Sequence, residues 1–148
     1  MNEDSLWLWL RDIALPLGHY SRIESAHTAP GFPDVAYQLA FGMGLSGTLE
    51  LKYSKNKEIP FLHPPGKPGM RKTQLTWIKK EVEYNGYVFI IAEAPPEIYV
   101  IPGNAAAEIN GATREKLSKI SVGILNREDS KNSYHQLHNI LTTWRYDK

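Results

Sequence analysis

The chain has 148 residues, 42% hydrophobic and 22% charged, ordinary usage for a globular protein long enough to bury a substantial core. It has no cysteine, which excludes disulfides and thiolate metal sites, and no apolar run near the ~20 residues of a membrane-crossing helix. The acidic opening Asn2-Glu3-Asp4 does not resemble a signal peptide, so a single soluble domain over residues 1–148, in a reducing compartment such as the cytoplasm and not at a membrane, is expected.

The net charge of +1 conceals an asymmetry. The segment 51–80 holds Lys52, Lys55, Lys57, Lys67, Arg71, Lys72, Lys79 and Lys80 against the single acid Glu58. The segments on either side have more acids than bases. Such a basic block attracts a phosphate backbone, although charge runs also serve as solvated faces.

In chain order, Ser5 is positioned as a helix cap before Leu6, Trp9, Leu10 and Ile13, which share one helical face, and Pro16 and Gly18 end the helix. Glu3, Asp4 and Asp12 lie on or near this helix, either as partners of its dipole or leaning toward a site formed elsewhere. Strands are predicted over Tyr20–Ala26, Val35–Leu39 and Thr48–Ser54. The glycine-spaced run 41–47 joins two strands and opens no helix, so it reads as a hairpin turn and not as a dinucleotide loop. Prolines and glycines make Lys55–Met70 an extended loop, in which His63 and Lys67 either meet a substrate backbone or belong to a plain spacer.

A helix is predicted from Lys72 to Tyr84, burying Leu75, Ile78 and Val82, with Asn85-Gly86 as its stop. Gln74 falls in its first turn, where a helix N-terminus favours anions, and Trp77 is expected to pack, with stacking as the alternative. Tyr87–Ala92 reads as a strand buried on both faces. Strand, helix, strand after a hairpin implies an α/β fold with a mixed central sheet and a right-handed crossover. Beyond the turn at Pro95-Pro96 come a short strand near the edge over Glu97–Ile101, a helix capped by Asn104, and a helical turn leading to a strand over Ile120–Leu125. A final helix opens on a Ser133/Gln136 capping box and buries Leu137, Ile140, Leu141 and Trp144. His135 and His138 are expected as surface or partly packed side chains.

The chemistry concentrates between Gly31 and Tyr53. Side chains alternate along a strand, so Glu50 and Lys52 share a face while Leu49, Leu51 and Tyr53 take the other. A hairpin brings Asp34 beside Glu50. Two carboxylates that share a site repel unless a cation lies between them, and magnesium prefers such hard oxygen ligands. Metal, carboxylates and a lysine together suit phosphodiester hydrolysis. The same pattern also suits the solvated face of an ordinary hairpin.

Pro33-Asp34 followed by Glu50-Leu51-Lys52 resembles the motif of the PD-(D/E)XK nuclease superfamily. Gln74 resembles the glutamine of its Holliday-junction-resolvase-like and virus-type replication-repair branches. The runs Arg71–Trp77 and Gly86–Ile91 are similar to small phage-encoded members. The resemblance spans roughly residues 20–101. It implies a restriction-endonuclease-like fold and a Mg2+-dependent DNA endonuclease, with Mn2+ as a substitute. Asp34, Glu50 and the Leu51 carbonyl then bind metal, Lys52 is catalytic, and Gln74 assists at the scissile phosphate. Many members add an acid from the first helix, and no single residue here matches it. Lys55, Lys67, Arg71 and Lys72 are the implied DNA contacts, the location is host cytoplasm if the chain is phage-encoded, and a homodimer is compatible. With no separate recognition domain, selection of DNA by its structure (ends, flaps, junctions) is expected. The competing reading is a catalytically silent DNA-binding or scaffolding protein that keeps the fold, and an RNA-directed nuclease stays open.

Overall fold

The computed structural model describes residues 2–23, 31–40, 45–56, 58–62 and 69–146. Residues 24–26 of the first predicted strand, 41–44 of the hairpin turn, and His63 and Lys67 lie outside the described residues.

The first helix, α1 (Glu3–Trp9), is capped by Asn2 and not by Ser5. Asn2 Oδ1 accepts the Ser5 N–H at 2.9 Å, and Ser5 Oγ accepts the Asn2 N–H at 3.0 Å, a reciprocal capping box. The helix runs on into a π-helical turn, Leu10–Ala14. That wider turn shifts the phase of the helix. Ala14 is therefore buried, while Ile13, predicted on the inner face, is 47% exposed.

Six strands form one sheet in chain order: β1 (Gly18–Arg22), β2 (Val35–Leu39), β3 (Ser46–Tyr53), β4 (Val88–Ala94), β5 (Glu97–Pro102) and β6 (Gly123–Leu125). All neighbours are antiparallel except β3 and β4, which are parallel. Parallel neighbours require a crossover, and helix α2 (Lys72–Glu83) lies in it. The chain is thus α/β, with a mixed sheet flanked by helices. Every residue of β4 is buried, in keeping with its apolar sequence and central position. β5 lies near the edge, as expected, one strand in, with the three-residue β6 pairing along its outer side.

Strand alternation divides the core. Val35, Leu49, Leu51, Phe89, Ile91 and Val100 pack on one side with Leu6 and Leu10 of the first helix. Leu137 and Leu141 of α4 (Ser130–Thr143) join the same layer. Val88, Ile90, Ala92, Tyr99 and Ile101 pack on the other side with Ile78 of α2 and with Leu117 of α3 (Arg114–Ile120). Glu50 and Lys52 fall on this second face by the same alternation.

Two predicted caps are corrected. The 3-10 turn Gly103–Glu108 starts after Pro102, so Asn104 lies inside it. Helix α4 starts before Ser133 and is capped by Asp129. Ser133 is buried instead: its Oγ donates to the Asn126 carbonyl at 2.9 Å and accepts the Asn126 N–H at 3.1 Å. Among the described residues, no helix is long and apolar enough to cross a membrane.

Candidate functional site

The pairing of β2 with β3 positions the first carboxyl group. Val35 pairs with Leu49, so one step further along the ladder Asp34 stands opposite Glu50. The Asp34 carbonyl accepts the Ile23 N–H at 2.7 Å, which holds this step against the end of β1. Its side chain turns to β3, where Oδ2 accepts the Leu51 N–H at 2.9 Å. The Thr48 and Ser54 amides donate the other way, to carbonyls of Tyr87 and Glu93. In an extended strand the N–H and C=O of one residue point to the same edge, so the Leu51 carbonyl is directed to the Asp34 side as well.

The start of α2 supplies the second half of the site. Gln74 Oε1 accepts the Arg71 N–H at 2.9 Å and a hydrogen bond from Lys52 Nζ at 3.1 Å. Gln74 Nε2 donates to Glu50 Oε2 at 3.0 Å. One side chain therefore caps the helix and couples Lys52 to Glu50. Exposure of the three is low, at 1% for Glu50, 7% for Lys52 and 4% for Gln74. Three segments distant in sequence thus bring Asp34, Glu50, Lys52 and Gln74 into one hydrogen-bonded group.

Burial and the hydrogen-bonded Asp34 push the Glu50 carboxyl up to about 10, with Lys52 pulling weakly the other way. The protonated form of Glu50 is thereby favoured.

Among the first-helix acids, Glu3 lies within electrostatic reach of the cluster. Glu3, at the first position of α1, is half-buried, and burial raises its pKa. Lys52 pulls it down and Asp34 pushes it up, so it lies within the field of the cluster. Asp4 is drawn off by Arg22 at 2.6 Å, and Asp12 pairs with Arg11 at 2.8 Å. An open cleft of about 390 Å3, lined by Asn2, Glu3, Asp4 and Tyr53, adjoins this end of the helix.

Lys55, Arg71 and Lys72 are exposed, Arg71 and Lys72 at the start of α2 and Lys55 just past β3. Lys67 lies outside the described residues. His135 and His138 stand against the Tyr134 ring, at 5.6 and 6.1 Å.

Sequence reasoning missed Arg127, which lies between β6 and α4. Its guanidinium binds Glu93 at 2.7 and 2.5 Å and donates to Ser5 Oγ at 3.1 Å. It ties β4 to the first turn of α1, two residues past Glu3. No local pattern signals this, since Glu93 and Ser5 lie 34 and 122 residues away in sequence.

Among the described residues, no group of three His, Cys, Asp or Glu side chains already surrounds one point as a cation cage. The chemistry of Asp34 and Glu50 nevertheless fits a hard divalent ion. They are all-oxygen donors, partly buried at Asp34 and buried at Glu50, and burial penalises the Glu50 charge, a cost that a bound cation would offset. Compared with known proteins, the chain matches no family model and no curated protein.

Proposed function

We propose that the chain is a magnesium-dependent DNA endonuclease with a restriction-endonuclease-like fold, of the PD-(D/E)XK kind. One observation carries the reading: Asp34, Glu50, Lys52 and Gln74, named from a sparse motif, meet in one cluster at the start of α2, with all but Asp34 buried. Mere polar positions of a hairpin face would have been solvated separately.

In this reading Asp34 and Glu50 would hold the metal, and the Leu51 carbonyl faces the same place. A bound Mg2+ supplies charge neutralisation at phosphoryl oxygens and acidifies its water. The remaining work belongs to the chain. Lys52 sets a fixed positive charge where the phosphorane gains negative charge. Gln74 holds that ammonium in place by its 3.1 Å hydrogen bond. The exposed cations Lys55, Arg71 and Lys72 hold backbone phosphates, and the N-terminal end of α2 adds its dipole.

The test is incubation with supercoiled, linear, single-stranded and branched DNA, with Mg2+ or Mn2+ and with chelator, beside Lys52→Ala. Metal-dependent cutting that Lys52→Ala loses supports the reading. Salt-sensitive DNA binding with no cutting of any substrate overturns it in favour of a binding or scaffolding protein.

A further inference from the structure

An aromatic pair borders the site without any part in its chemistry. The Phe32 and Trp77 rings meet edge to face, with centroids 4.9 Å apart at 61°, and both are only partly buried. Phe32 precedes Asp34 by two residues, with buried Pro33 between them. Trp77 follows Gln74 by three residues on α2, about one helical turn. Gly31, at φ +87°, brings the Phe32 segment against the Thr73 carbonyl so closely that a Cβ has no room. The pair is therefore anchored to both halves of the site.

Beside Trp77 lies a cleft of about 370 Å3 lined by Lys72, Thr73, Thr76, Trp77 and Lys80. Its lining carries two positive charges and no acid, and the first turn of α2 contains no acidic residue. Cations serve any phosphate backbone, paired or not. An aromatic ring among them adds something only for a base that has left its stack.

We infer that Phe32 and Trp77 form a stacking platform for an unpaired DNA strand, with Lys72 and Lys80 on its phosphates, so that the substrate presents a single-stranded segment at the scissile bond. This rests on the nuclease reading and narrows it to substrates such as flaps, frayed ends or open junctions. Every base has a π face, so the platform is tolerant of sequence.

The test is fluorescence anisotropy with labelled oligothymidine, oligouridine and a blunt hairpin duplex, with chelator present so that no turnover is needed. Wild type, Trp77→Ala, Trp77→Phe and the exposed pair Lys72→Glu/Lys80→Glu are compared after circular dichroism confirms folding. Oligothymidine is expected to bind more tightly than the duplex. Trp77→Ala weakens it roughly 5- to 100-fold, Trp77→Phe retains most of the affinity, and charge reversal weakens both DNAs. Equal affinity of wild type for single strand and duplex overturns the platform with no variant required, as does unchanged oligothymidine binding by folded Trp77→Ala. Tighter binding of oligouridine overturns the assignment to DNA. Metal-dependent cutting with Trp77-independent binding sinks the platform alone, and Trp77-dependent binding without cutting sinks the nuclease reading alone.

Discussion

Glu50 sits where an ionised carboxylate is costly, with burial as the main cause and Asp34 adding to it. Its folded pKa lies above its ordinary value of 4.5, so the folded chain keeps a proton that the unfolded chain releases. The associated stability is complete below pH 4.5 and is lost as pH rises toward the folded value. Glu50→Gln keeps the shape and an acceptor for Gln74 without the penalty. In metal-free buffer it is expected to melt above wild type by a margin that widens from pH 5 to pH 9, worth roughly 1–3 kcal/mol at the upper end. Thermal melts of both proteins across that range check this; a margin that shrinks with pH contradicts a buried, protonated Glu50. Lys52 answers to a different measurement. Lys52→Ala is expected to lower the cleavage rate about 100- to 1,000-fold, the usual loss on removing one fixed transition-state donor. Single-turnover assays at saturating metal report it, and DNA affinity in chelator should change far less.

At the scale of elements, two devices hold the site together. The first is the Gly31 turn, which presses the Phe32–Asp34 segment onto the start of α2. A positive φ suits glycine, and here the missing Cβ also makes the approach possible. Gly31→Ala is expected to cost roughly 1–3 kcal/mol in urea unfolding and to weaken metal binding, because Asp34 moves relative to Gln74. The second is Arg127, which binds almost fully buried Glu93 and Ser5 of α1. Breaking a buried pair strands a charge, whereas replacing both partners need not. Arg127→Met alone is expected to lose about 3 kcal/mol, and Arg127→Met with Glu93→Leu to recover much of it. A double variant as unstable as the sum of the singles would show that the two side chains act independently.

For the molecule as a whole, metal binding and folding should be linked. A cation held by the folded site alone stabilises it by about 2.7 kcal/mol at a hundredfold excess over Kd, or roughly 5–10 °C in Tm for a chain of this size. A bound cation would displace the Glu50 proton, so the rise should be larger at pH 8 than at pH 6. No Mg2+-dependent shift at either pH argues against a metal site. The sequence by itself determined much of this architecture. Alternation marked β2 and β3, the unbroken apolar run marked β4, and the strand–helix–strand order required a parallel central pair. These are local or nearest-neighbour signals, legible because each depends on a period or on a connection length. The same locality made Asp34, Glu50 and Lys52 readable as a set, since one hairpin carries them, whereas Gln74 joined them only through the family resemblance. Errors arose where a register or a cap is settled by a neighbour in space. The π-turn rotated Ile13 outward, and Asn126 turned Ser133 from cap into buried anchor. Only the tertiary structure placed Glu3 within electrostatic reach of Lys52 and Asp34 and gave Asp4 and Asp12 arginine partners. Arg22 reaches Asp4 across 18 residues, and Arg127 reaches Ser5 across 122. Long-range pairs of this kind leave no periodic trace, because nothing along the chain repeats at their separation.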